Sequence, residues 1–142
     1  MYAIIRIRGT VNLAPRIKRA LEHMNLRRIN NLSIWSEDKK NEGMLNKAKD
    51  YAAYGKINDE VLKELLTKRA KSVNASEKVD VKKVIEELKK GKTLNQIGIK
   101  NCFTLNPSIG GFERKGVKVP YSLGGALGNR GEKINDLLKK MI

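Results

Sequence analysis

The sequence predicts an α+β fold on three patterns. Strand-period and helix-period apolar residues interleave as β-α-β-α-β through residues 1–55. Residues 56–100 carry helical spacings, and residues 101–142 pass from a glycine-rich basic stretch into one more amphipathic helix. Strands joined through helices, with a small sheet covered on one face, make an α+β sandwich.

Taken in order, Ile5 and Ile7 alternate with Arg6 and Arg8, the period of a half-buried strand whose other face is open to a partner. Gly9 and Asn12 mark a turn, and Pro15 suits the first position of a helix. Ile17, Ala20, Leu21 and Met24 recur at i, i+3, i+4 and i+7, which leaves Arg16, Arg19 and His23 off the buried stripe. A second strand runs roughly from Leu32 to Trp35. A short helix from about Asn41 to Lys49 buries Met44, Leu45 and Ala48. Tyr51 to Tyr54, closed by Gly55, forms the third strand.

Beyond Gly55, Asn58 caps a helix bearing Val61, Leu62, Leu65 and Leu66. Asp80 caps another with Val81, Val84, Ile85 and Leu88, which Gly91 ends, and Thr93 with Gln96 resembles a capping box. Acids and bases interleave here, so Lys82-Lys83 and Lys89-Lys90 are solvated faces. Cys102 to Leu105 reads as a strand and Val117-Lys118-Val119 as a brief one. Seven glycines stand between Ser108 and Gly131, where the main chain can approach an RNA backbone and offer it N–H donors. Ile134, Leu137, Leu138 and Met141 build the last helix.

Charge narrows the function. Thirty Lys and Arg stand against fifteen Asp and Glu, a net +15 on 142 residues that repels itself until a polyanion supplies the counter-charge. Nucleic acid is that polyanion in most such proteins, because neutralised phosphates release condensed counterions. Residues 1–35 hold seven bases and one acid, and six of the nine arginines fall within the first 28 positions. Arginine's planar fork matches phosphate bidentately. Seven aromatics are too few for a base-stacking platform.

Other classes fall away. No run approaches the length of a membrane span, and the opening lacks the apolar stretch of a secretory signal. One cysteine and one histidine leave no zinc set, so no metal or cofactor is expected. Gly124-Gly125-Ala126-Leu127-Gly128 has neither a dinucleotide-binding nor a Walker order. The adjacent acid pairs Glu37-Asp38, Asp59-Glu60 and Glu86-Glu87 diverge by about 100 degrees on a helix, so no general acid/base site forms.

Three segments together, IRIRGTVNLAPRIKRALEHMNLRRINN, GMLNKAKDYAAYG and GFERKGVKVPYSLGGALGNRGEKINDLLKKM, resemble the large-subunit ribosomal protein family L-thirty. The likeness is to its longer archaeal form, whose eukaryotic counterpart is called L-seven, and it runs over essentially the whole chain. It implies a ferredoxin-like relative with a three-stranded antiparallel sheet in residues 1–55. Residues 56–142 would be the archaeal/eukaryotic-type extension, with a helical middle over 56–100 and a basic tail and final helix over 101–142. It further implies a cytoplasmic, non-enzymatic structural component of the large ribosomal subunit. Such a protein binds ribosomal RNA, with the five-S RNA region nearby, and touches neighbouring ribosomal proteins but no membrane and no small-molecule substrate.

Carried onto this sequence, the RNA-facing residues are Arg6, Arg8, Thr10, Asn12, Arg16, Arg19, Arg27, Arg28, Asn30 and Lys47, and in the tail Arg114, Lys115, Lys118, Asn129, Arg130 and Lys133. The loop Trp35-Ser36-Glu37-Asp38-Lys39-Lys40 is more charged than the family pattern, so Lys39 and Lys40 are left out. The alternative is a free-standing RNA-binding regulator outside the ribosome. An enzyme on phosphorylated substrates using the glycine-rich tail ranks last, for want of any acid/base candidate.

Overall fold

The computed structural model describes residues 1–72, 81–89 and 91–142, without the side chains of Lys82 and Lys89. The expected Asp80 cap and the Lys90 end of the solvated face lie outside the described residues. Five strands form one mixed sheet: β1 (Tyr2–Arg6), β2 (Asn31–Trp35), β3 (Ala52–Lys56), β4 (Phe103–Thr104) and β5 (Gly128–Asn129), in the order β4-β2-β1-β3-β5. The three central strands are antiparallel, as expected, with Ile5 opposite Leu32 and Ala53. β4 joins β2 antiparallel, and β5 joins β3 in parallel. β4 and β5, both from beyond residue 100, thus widen the three-stranded sheet at its two edges.

Helices cover both faces. Ile4 and Ala52 point to α1 (Pro15–His23) and α2 (Lys39–Ala48), where they pack with Ala20, Leu21, Met24, Leu45 and Ala48. Ala3, Ile5, Leu32, Ile34 and Ala53 point the other way. They meet α3 (Asp59–Arg69), α4 (Val81–Lys89) and α5 (Ile134–Met141) through Leu62, Leu65, Ile85, Ile134 and Leu138. The amphipathic stripes of residues 56–142 therefore exist to bury the face that the first 55 residues leave bare. β1 consequently has no open face, contrary to the expectation from its alternation.

Several local expectations hold. Pro15 starts α1, Asn58 stands at the N-cap position of α3, and Gly91 follows α4 with φ at 85°. The Thr93 N–H donates to the Gln96 side chain at 2.9 Å, the capping-box bond. Others change. Val117 to Val119 is not a strand; the neighbouring Pro120 makes an isolated bridge to Leu127 instead. Gly55 does not close β3 but lies inside it. A Cβ there would sit 2.1 Å from the Gly131 carbonyl oxygen and 2.9 Å from Ile134 Cβ, so only hydrogen fits between β3 and the start of α5.

Candidate nucleic-acid interface

β1 leaves the sheet at the end where β2 and β3 enter it, since Arg6 lies opposite Ala52 and Ile5 opposite Leu32. The connections 7–14, 24–30 and 49–51 therefore open together at one end. Their backbones are tied to one another. The Tyr51 carbonyl accepts from the N–H groups of Ile7 and Arg8 at 3.0 and 3.1 Å, and the Asn30 N–H donates to the Arg6 carbonyl at 2.8 Å. Asn12, Asn25 and Asn30 hold φ of 55°, 59° and 61°, the left-handed turns that asparagine tolerates better than other side chains.

On this end stand Arg8, Thr10, Asn12, Arg27, Arg28 and Asn30, with Arg16 and Arg19 on α1 just beyond it. Arg16, Arg19, Arg27 and Arg28 are exposed, and among the described residues none has a carboxylate within salt-bridge distance. Arg8 donates to the Asp50 carbonyl at 3.1 Å and stacks 4.8 Å over the Tyr51 ring, which fixes the direction of its fork. Lys47 is exposed in the last turn of α2, where the helix dipole favours a cation. Because β5 runs parallel to β3, the segment leading into it approaches from this same end. Arg114, Lys115 and Lys118 are exposed on that segment.

Two expected surface residues are not on the surface. Arg6 is 2 % exposed and spends its guanidinium inside: Nε donates to the Arg8 carbonyl at 2.9 Å, and Nη1 to the Leu26 and Arg27 carbonyls at 2.8 and 2.9 Å. Burial pushes its pKa down from the ordinary value and Glu22 opposes this. Arg130 is 5 % exposed, bonded to Glu113 at 2.6 Å and stacked 4.8 Å over Tyr121. Each is covered by a neighbouring segment: the turn after α1 closes over Arg6 in β1, and Glu113 and Tyr121 of the 113–126 segment close over Arg130, just past β5. The glycine-rich segment is also packed on itself. A Cβ on Gly125 would fall 2.0 Å from the Val119 carbonyl oxygen, so that glycine serves internal packing.

Asn129 and Lys133 stand apart from the arginine loops. Asn129 is exposed beside Tyr54 and accepts from the Gly131 N–H at 2.9 Å; Lys133 is exposed beyond it, in the turn that packs on Gly55. The residues that sequence spacing did not single out are Asn25, Asn95, Lys100 and Asn101. With Arg27, Asn31 and Cys102 they line an open cavity of about 330 Å3 where the 24–30 connection meets the extension. Burial pushes the Cys102 thiol up from its ordinary pKa, while the nearby charges of Arg27 and Lys71 pull it down. These residues lie some seventy positions apart in the chain, and no local pattern could join them.

Among the described residues no group of His, Cys, Asp and Glu is arranged to hold a metal, and no helix is long and apolar enough to cross a membrane. A family model described as ribosomal protein L30p/L7e matches residues 2–52. Over the full chain, the large ribosomal subunit protein uL30 of Nanoarchaeum equitans is 41% identical, with 100% of this chain and 99% of the relative covered. The proteins of the same name from Methanococcus maripaludis and Staphylothermus marinus are 34% and 36% identical, over 99% and 100% of this chain and 99% and 98% of their own lengths.

Proposed function

The chain belongs to the ribosomal protein L30p/L7e family, and from that membership we propose that it is a structural component of the large ribosomal subunit that binds ribosomal RNA through its arginine-bearing loops. One observation supports this most directly. Two of the three connections at one end of the sheet present Arg8, Arg27 and Arg28 on backbones held by hydrogen bonds to β1 and Tyr51, and Arg27 and Arg28 have no carboxylate partner among the described residues. Thr10, Asn12, Arg16, Arg19, Asn30 and Lys47 complete the surface, Arg114, Lys115 and Lys118 extend it, and Asn129 with Lys133 form a second, smaller contact.

Recognition is of phosphate, sugar and shape, since helical RNA hides its base edges in a deep, narrow groove. The protein carries out no reaction and works in the cytoplasm as part of the subunit, beside other ribosomal proteins. That the five-S RNA region is a neighbour rests on the family resemblance alone.

Titration with large-subunit ribosomal RNA across salt tests the proposal. If about 6–10 phosphates are contacted, affinity falls about a thousandfold to a hundred-thousandfold between about 50 and 200 mM salt. A flat profile over that range would defeat it.

A further inference from the structure

We propose that the cavity lined by Arg27, Lys100, Asn25, Asn95 and Cys102 seats one unpaired nucleotide of the bound RNA. The proposal rests on the RNA-binding function above and adds a specific seat to it. The lining combines two cations, four asparagines and a thiol, with no carboxylate. That set suits a ligand that is anionic and also carries both hydrogen-bond donors and acceptors, which describes a nucleotide better than a bare phosphate.

The amides divide into wall and contact. Asn101 is committed to the fold: its Oδ1 accepts from the Ile34 N–H at 2.9 Å and its Nδ2 donates to the Ile34 carbonyl at 2.8 Å. Asn31 directs its Nδ2 at the Cys102 sulfur, 3.4 Å away. The side chains of Asn25 and Asn95 have no hydrogen-bond partner among the described residues and can meet the edge of a base. Asn25 is held in the left-handed region, with its N–H on the Glu22 carbonyl at 3.0 Å.

Arg27 belongs both to this cavity and to the arginine loops, so a strand lying on the loops passes its mouth. Its flat guanidinium can stack on a base while Lys100 holds the neighbouring phosphate. The volume of about 330 Å3 lies near the lower bound, about 300 Å3, of cavities that enclose small ligands. Extruding a paired base costs lost pairing and stacking, which an unpaired base avoids, so the favoured occupant comes from a bulge or loop. The cavity of equal volume at the other end of β2 differs in kind, with Asp38 among its lining and a wall of Ile34, Trp35, Leu88 and Leu94.

Cys102 is the one cysteine in the sequence and lines the cavity, so its alkylation by N-ethylmaleimide reports occupancy. The full-length chain is treated alone, with transcribed large-subunit ribosomal RNA, and with a fully paired RNA duplex, binding being followed by gel shift in the same samples. With ribosomal RNA at about ten times its Kd, alkylation slows about tenfold, while the duplex at equal saturation leaves the rate unchanged. An unaltered rate with ribosomal RNA bound, or equal slowing by the duplex, overturns the nucleotide seat and leaves RNA binding standing. Failure to bind either RNA overturns both. Asn95→Ala, at an exposed position, lowers the ratio of ribosomal RNA to duplex affinity about two- to tenfold; an unchanged ratio counts against the seat.

Discussion

Arg6 holds the backbone of Arg27: the buried guanidinium of one donates to the carbonyl of the other at 2.9 Å, with the Leu26 carbonyl at 2.8 Å on the same nitrogen. One arginine is thus spent inside the fold to set the direction of an exposed one. The two residues look alike in composition and do opposite jobs. Arg6 supplies donors to carbonyls that the turn after α1 would otherwise leave buried and unpaired, and Arg27 carries its charge outward.

That division predicts unequal mutants. Arg6→Met leaves the Leu26, Arg27 and Arg8 carbonyls without their donor and destabilises the protein by about 1–3 kcal/mol. Arg28→Ala, at an exposed site, changes stability by no more than about 0.5 kcal/mol. Urea denaturation of both variants checks the contrast, and equal losses would show that Arg28 also supports the fold.

Arg27→Ala with Arg28→Ala weakens binding to ribosomal RNA and lowers the slope of log affinity against log salt by about two, one for each phosphate no longer neutralised. The melting temperature stays nearly unchanged. A steep fall in melting temperature would assign both residues to structure.

Glycine substitutions separate close approach from simple flexibility. Gly55→Ala drives a methyl group into the Gly131 carbonyl and destabilises by about 1–3 kcal/mol. Gly43 lies inside α2 with nothing within 4 Å of an added Cβ. There Gly43→Ala stabilises by about 0.5–1 kcal/mol. Thermal unfolding of the pair gives shifts of opposite sign.

The Glu113 carboxyl is held below the ordinary carboxylate range, first by its hydrogen bond to Arg130. A depressed folded-state pKa contributes stability that is present above the unfolded value and lost as pH falls through the folded one. Wild type therefore outlasts Glu113→Gln near neutral pH, and the gap closes under acid conditions. Melting temperatures measured against pH test this; a gap that widens in acid would contradict the pairing.

The elements are legible where periodicity is local. The stripe Ile17, Ala20, Leu21 and Met24 marks α1, and Ile134, Leu137, Leu138 and Met141 mark α5. Pairings between distant segments are not. β5 is only Gly128–Asn129, too short to show alternation, and it exists because the β3 edge offers backbone partners. The arginine-bearing end is visible as a cluster of residues in the first 28 positions, but the burial of Arg6 is not, since strand alternation cannot tell a solvent face from a face that helices cover. The cavity around Cys102 needs the extension to fold back on the 24–30 connection, a meeting that no spacing records.

The two-sided cover of the sheet also carries a cost in time. Ile134 follows Arg6 by 128 positions, about 6 to 25 seconds of synthesis at about 5–20 residues per second. Once Leu32 and Ala53 have themselves been made, they and Ile5 wait for the helix that completes their cover, so the nascent chain presents an oily strand surface before its lid is finished. A cell making this protein must keep such half-finished chains from sticking to one another.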